Sequence, residues 1–131
     1  MTLLLAIVVG ACRGPVADLH REHALTPAAV AVCAEVAVKA RAAGVSARLA
    51  TRLAYRESRL RRDVVSSAGA VGPMQAMPRY WCRAEPCDHV AAGVRALRYY
   101  LRRERGDVRR ALCAYTGRRA CAADAVAWAS R

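Results

Sequence analysis

Residues 57–78 read ESRLRRDVVSSAGAVGPMQAMP, the end of one helix followed by a loop with no helical period. Upstream, Ala50, Leu53, Ala54 and Glu57 fall at i, i+3, i+4 and i+7, one face of a helix that Ser46 can cap and that runs to about Ser58. Arg48, Arg52 and Arg56 are expected to point away from that apolar face. A carboxylate on an apolar face is out of place. Burial raises a Glu pKa and keeps a proton available near neutral pH, which a general acid requires. The plainer alternative is a helix-end ion pair with Arg61, four residues on. Downstream, Asp63, Ser66, Ser67, Gly69, Gly72 and Pro73 mark a structured loop over 61–73. A short turn of helix over Met74–Met77 follows, ended by Pro78. Gly69 and Gly72 let the backbone turn tightly and approach a ligand with no Cβ between them.

Helical signals continue on both sides of this stretch. Thr26-Pro27 is a capped opening, and Gly44 closes a helix over 27–43. Asp88 caps a long helix carrying Val90, Val94, Leu97 and Leu101, and Gly106 stops it. Asp107 caps the next, with Val108, Ala111, Leu112 and Tyr115, and residues 122–130 form a last short one. No strand pattern appears, so the class is all-α. The chain has 131 residues, one domain's length; Phe is absent and aromatics are 5%, so the core rests on Ala, Val and Leu, an economy suited to close-packed helices. An apolar fraction of 56% excludes a disordered tail.

The net charge is +12, and Lys39 is the only lysine. Residues 41–62 hold seven Arg against Glu57 alone, and residues 95–110 hold seven Arg against Glu104 and Asp107. Such clusters suit a polyanionic partner: nucleic acid, an acidic membrane or an anionic wall polymer. The N-terminal run TLLLAIVVGA (residues 2–11) is too short to span a bilayer and fits the apolar part of a secretory signal. Val9-Gly10-Ala11-Cys12 resembles a bacterial lipobox, though no basic residue precedes the run. The expected organisation is a signal-like segment over 1–12, a tether over 13–24 and a domain from 25 to 131. Six cysteines then read as disulfides. Local pairing of Cys82 with Cys87 and of Cys113 with Cys121 is expected. Cys33 is a free buried thiol if Cys12 carries lipid, and Cys12's partner if it does not. The rival is zinc on Cys82, Cys87, Cys113 and Cys121, with His89 as a further ligand, although these spacings match no common zinc pattern. His20-x-x-His23 lacks the metalloprotease pattern, and no cofactor motif is visible.

The run Glu57-Ser58-Arg59-Leu60, then Ser66-x-x-Gly69-Ala70-x-Gly72-x-Met74-Gln75-x-Met77-Pro78, closely resembles the lytic transglycosylase domain with the goose-type lysozyme fold. That family's usual form is E-S-x-F, then S-x-x-G-A-x-G-L-M-Q-x-M-P, at the same spacing. Ala92-Gly93-Val94-x-x-Leu97 and Ala114-Tyr115 resemble its later elements, so the likeness covers about residues 30–120. Leu60 replaces the usual Phe, Arg61-Arg62 the common Asn-Pro, Pro73 a Leu and Thr116 an Asn. The resemblance implies a lysozyme-like helical domain that cleaves peptidoglycan between N-acetylmuramic acid and N-acetylglucosamine and leaves 1,6-anhydro ends. It implies Glu57 as the single acid/base, with Ser66, Gly72, Met74, Gln75 and Tyr115 lining the glycan groove and no metal or cofactor. A monomeric, exported protein is expected, periplasmic, lipid-anchored at Cys12 in the outer membrane, or phage-encoded, with no nucleic-acid partner. Tyr80 and Trp81 are candidates for sugar stacking. The alternatives are a hydrolytic lysozyme-like enzyme on the same scaffold and an inactive cationic module that binds wall or nucleic acid.

Overall fold

The computed structural model describes Cys12 and residues 25–117. The expected signal segment, tether and final 122–130 helix lie outside those residues. Within residues 25–117 five helices follow in order: α1 (Pro27–Ala42), α2 (Ala47–Ser58), α3 (Pro78–Trp81), α4 (His89–Arg103) and α5 (Val108–Thr116). The capping chemistry is the expected one. The Thr26 hydroxyl accepts from the Ala29 amide at 3.1 Å, that of Ser46 from Leu49 at 3.2 Å, and the Asp88 and Asp107 carboxylates from Ala91 and Arg110 at 3.0 Å each. Among the described residues no helix is long and apolar enough to cross a membrane.

α1 packs on α2 and α4, α4 on α5, and α3 on α4. Their shared core joins Val32, Val36, Ala37 and Ala40 to Ala50, Leu53 and Ala54, then to Val94, Leu97 and Leu112. Fully buried alanines at the α1–α2 contact let the helices approach closely, so few large side chains are needed to fill the space. α2 is the central element, and here one expectation is corrected. Arg52 is 3% exposed, and every residue from Leu49 to Tyr55 is buried. Those seven consecutive buried residues, nearly two turns, leave the middle of α2 no flank to present Arg52 to solvent, whereas Arg48 in the first turn is exposed as expected and Arg56 is half-buried.

The sole lysine ties three segments together. Lys39 Nζ reaches Glu35 Oε1 at 2.9 Å and Asp88 Oδ2 at 2.5 Å, while Arg62 NH1 reaches Glu35 Oε2 at 2.8 Å. α1, the loop after α2 and the cap of α4 are thereby cross-linked. Desolvation alone would raise the Glu35 carboxyl, but the hydrogen bonds and charges of Lys39 and Arg62 outweigh it and hold the group below its usual value. Asp88 is also held low, since the Ala91 amide and Lys39 outweigh its desolvation.

The helical turn expected at Met74–Met77 is absent. Gln75 has φ 54°, which no right-handed helical turn accommodates, and the segment is closed by isolated antiparallel bridges Val65–Val71 and Val71–Ala76. Pro78 opens α3 instead of ending a helix. Its fixed φ and missing N–H suit a first helical position as well as they forbid an interior one.

Cys82–Cys87 is a disulfide, as expected, and Cys12 is bonded to Cys33. The free Cys33 thiol is therefore corrected to its alternative, and in this arrangement the Cys12 sulfur is occupied by the disulfide. Cys113 is disulfide-bonded too, and its expected pairing with Cys121 lies outside the described residues. Cys82, Cys87 and His89 are the one group of described residues close enough to share a metal ion, with ligand atoms within 4.8 Å. Two of those three ligands are disulfide sulfurs, which offer no thiolate, so the zinc alternative is corrected.

Candidate active site

Glu57 stands half-buried in the last turn of α2. The chain leaves the helix through two successive left-handed residues, Arg59 (φ 58°) and Leu60 (φ 59°), neither of them glycine. Such backbone is costly and persists where the surroundings enforce it. Leu60 is locked into the core at 1% exposure, and Arg59 NH1 donates to the Tyr55 hydroxyl at 3.1 Å. Arg61 Nε donates back to the Ser58 carbonyl at 2.9 Å, which turns its guanidinium toward the helix end.

The loop then returns under α4. Met74 is completely buried, and Gly93 of α4 lies directly on it: a Cβ built at Gly93 would fall 2.4 Å from Met74 Cβ. The Met74 carbonyl accepts the Tyr115 hydroxyl at 2.6 Å, bringing α5 to the same point. Burial pushes the Tyr115 phenol well above its usual value, and the nearby charges of Glu57 and Tyr100 push the same way. Tyr115 is thus a protonated donor in the field of Glu57. Three separate segments, the end of α2, the loop at Met74 and the last turn of α5, converge here.

The other expected residues build the loop itself. Gln75 Nε2 donates to the carbonyls of Val64 at 2.9 Å and Gly72 at 3.0 Å. Ser66 Oγ accepts the Ala70 amide at 3.0 Å, closing the 66–70 turn. Gly72 (φ 83°) is buried, and its missing Cβ makes room for His89, whose own Cβ would lie 2.8 Å from one built there. The tight turn expected of this glycine is there in its positive φ, and close packing on α4 is a further reason that the sequence did not show. Trp81 is half-buried against Tyr99 and Tyr100, at 5.4 and 5.9 Å between ring centroids, while Tyr80 is exposed.

Tyr100 is a part of this site that the sequence did not single out, and Gly93 entered only as part of the Ala92-Gly93-Val94-x-x-Leu97 likeness, with no role assigned to it. A glycine inside a helix costs about 1 kcal/mol relative to alanine, and that penalty is the signal that marks position 93. Beside the site, a groove of about 680 Å³ runs between the start of α1 and the loop after α2. Its floor includes Leu25, Ala29, Val32 and Leu60, and Arg59, Arg61 and Arg62 line it as well.

No curated protein and no solved structure matches the chain. A known family does: the one described as the transglycosylase SLT domain matches residues 35–127, a span that takes in α2, the returning loop, α4 and α5. With that match over most of its length, and with Glu57, Met74 and Tyr115 gathered from three segments inside it, the chain belongs to the transglycosylase SLT family of lysozyme-like, peptidoglycan-cleaving domains.

Proposed function

We propose that this protein cleaves the β-1,4 bond between N-acetylmuramic acid and N-acetylglucosamine without consuming water, leaving 1,6-anhydromuramoyl ends. Glu57 carries both proton transfers. Its carboxyl protonates the glycosidic oxygen as the C1–O bond breaks. The carboxylate left behind takes the proton of the muramoyl C6 hydroxyl while that oxygen closes onto C1. One C–O bond forms for the one broken, and the proton returns to Glu57.

The convergence on Tyr115 carries this reading: a phenol held by the Met74 carbonyl and kept protonated lies in the field of Glu57. Glycosidases usually set two carboxyl groups about the scissile bond. Among the described residues, Asp88 and Asp107 are engaged as helix caps, Glu35 is paired with Lys39 and Arg62, and Asp63 is exposed, which supports a single acid/base. Disulfides among the described cysteines support an exported protein.

Digestion of purified peptidoglycan, alongside Glu57→Gln, with mass spectra of the released fragments, is the test. Anhydro products one water lighter than hydrolytic ones are expected, and they should vanish with the variant. Reducing-end products would overturn the non-hydrolytic step.

A further inference from the structure

The cleft leaves unused the second arginine cluster of the sequence. On the outer face of α3 and α4, Tyr80, Trp81, Arg95, Arg98, Tyr99 and Arg102 enclose a groove of about 550 Å³. Arg83 and Arg103 complete its lining, which contains no carboxylate and none of Glu57, Met74, Gln75 or Tyr115. The groove is built, not a chance gathering of loose side chains. Arg95 donates to the Trp81 carbonyl from NH2 at 2.7 Å and from Nε at 3.2 Å, tying α4 to the end of α3. Arg103 lies over the Tyr100 ring and pairs with Glu104. Arg83, Arg98 and Arg102 remain exposed, with no ion-pair partner among the described residues. Arg98 and Arg102 stand one helical turn apart, about 6 Å along the axis, and present planar forks that fit carboxylates two-fold. Tyr80, with the Arg79 guanidinium over one ring face at 4.6 Å, and Tyr99 are 63% and 50% exposed and add aromatic surface.

We propose that this groove is a second wall-binding site. It holds a peptidoglycan strand away from the cleavage point through the carboxylates of its peptide stems, with sugar faces against Tyr80 and Tyr99. The proposal rests on peptidoglycan being the substrate of the cleft. Arginine beside exposed rings also suits single-stranded nucleic acid. Continuity with the cleft favours the wall strand: Trp81 touches Tyr99 at 5.4 Å, Tyr99 touches Tyr100 at 5.2 Å, and Tyr100 touches Tyr115 at 6.2 Å. A strand seated in the groove is therefore a short chain of ring contacts from the tyrosine beside Glu57.

The test is binding of the full chain to insoluble peptidoglycan sacculi, in the Glu57→Gln background so that nothing is cleaved. Sacculi are first stripped of covalently attached phosphate polymers. Replacing both Arg98 and Arg102 by Gln should weaken binding roughly tenfold or more and flatten its fall with salt. Replacing both by Lys, which keeps the charge but loses the two-fold fork, should restore the salt dependence and only part of the affinity. Sacculi whose stem carboxylates have been amidated should bind the parent protein as weakly as native sacculi bind the double-Gln variant. Thermal unfolding of each variant checks that the fold is intact. Equal binding by the parent and double-Gln proteins, or undiminished binding to amidated sacculi, would overturn the proposal. So would tighter binding to a single-stranded oligonucleotide, or loss of binding once the phosphate polymers are stripped. Failure of the cleft's function reads out separately, as absence of cleavage by the protein with Glu57 intact.

Discussion

Gly93→Ala isolates the contact on which the site is assembled. In an ordinary mid-helix position the change would stabilise the protein by about 1 kcal/mol, because alanine has the better helix propensity. Here the new methyl would meet Met74 Cβ at 2.4 Å, Sδ at 2.8 Å and Cγ at 3.0 Å. The closest of these is more than about 1 Å inside the ~3.5–4.0 Å optimum for two carbons. Met74 cannot swing aside, since the offending atom is its Cβ and the residue is completely buried. Its backbone must move, and that backbone carries the carbonyl that holds Tyr115. Overpacking costs about 1–3 kcal/mol, and a clash on Cβ belongs at the upper end, leaving a net loss of about 1–2 kcal/mol after the helix gain. For a domain this small, that lowers Tm by roughly 5–15 °C. Circular dichroism melts would measure it, and turnover of sacculi well below the melt would report the displaced Tyr115 as a loss of roughly tenfold or more. An unchanged or raised Tm with full turnover would show the contact to be soft and refute the reasoning.

Tyr115→Phe should cost about 1–2 kcal/mol by leaving the buried Met74 carbonyl without its donor, and it should slow cleavage. Folding raises the Tyr115 phenol above its reference value of 10.0, so its share of stability is present below about pH 10 and is lost as pH climbs beyond it. The stability difference between parent and Tyr115→Phe, followed by denaturant melts from pH 8 to 11, should therefore shrink as pH rises; a constant difference would count against this. Lys39→Met removes the shared cation of Glu35 and Asp88. Because the partners are a quarter to a half exposed, screening limits the loss at neutral pH to about 1 kcal/mol or less. Both carboxyls are held low, so their contribution exists above their ordinary values of 4.5 and 3.8 and disappears as pH falls through the lowered ones. Acid melts of Lys39→Met should show a flatter loss of stability below pH 5, and an unaltered acid limb would rule out the network.

Local chemistry was legible in the sequence wherever a single residue type answers a single backbone need. Thr26, Ser46, Asp88 and Asp107 each satisfy a helix's first free amides, and each caps the helix that the sequence assigned to it. Glu57 was legible for the opposite reason, as a charge where the apolar period asks for carbon. What stayed hidden are properties of pairs of segments. Arg52 looks like a surface residue along its own helix and is buried because the middle of α2, from Leu49 to Tyr55, is covered on every flank. Pro78 can either end or begin a helix, and the left-handed Gln75 three residues earlier makes it a beginning. Gly72 and Gly93 show the same limit from the side of function. Each announces that something comes close, but only the fold shows that His89 fills one gap and Met74 the other. The loop is thus clamped to α4 at both glycines. That clamp sets the Met74 carbonyl where Tyr115 can reach it, so a helix that contributes neither Glu57 nor Tyr115 helps decide where the phenol stands in the field of Glu57.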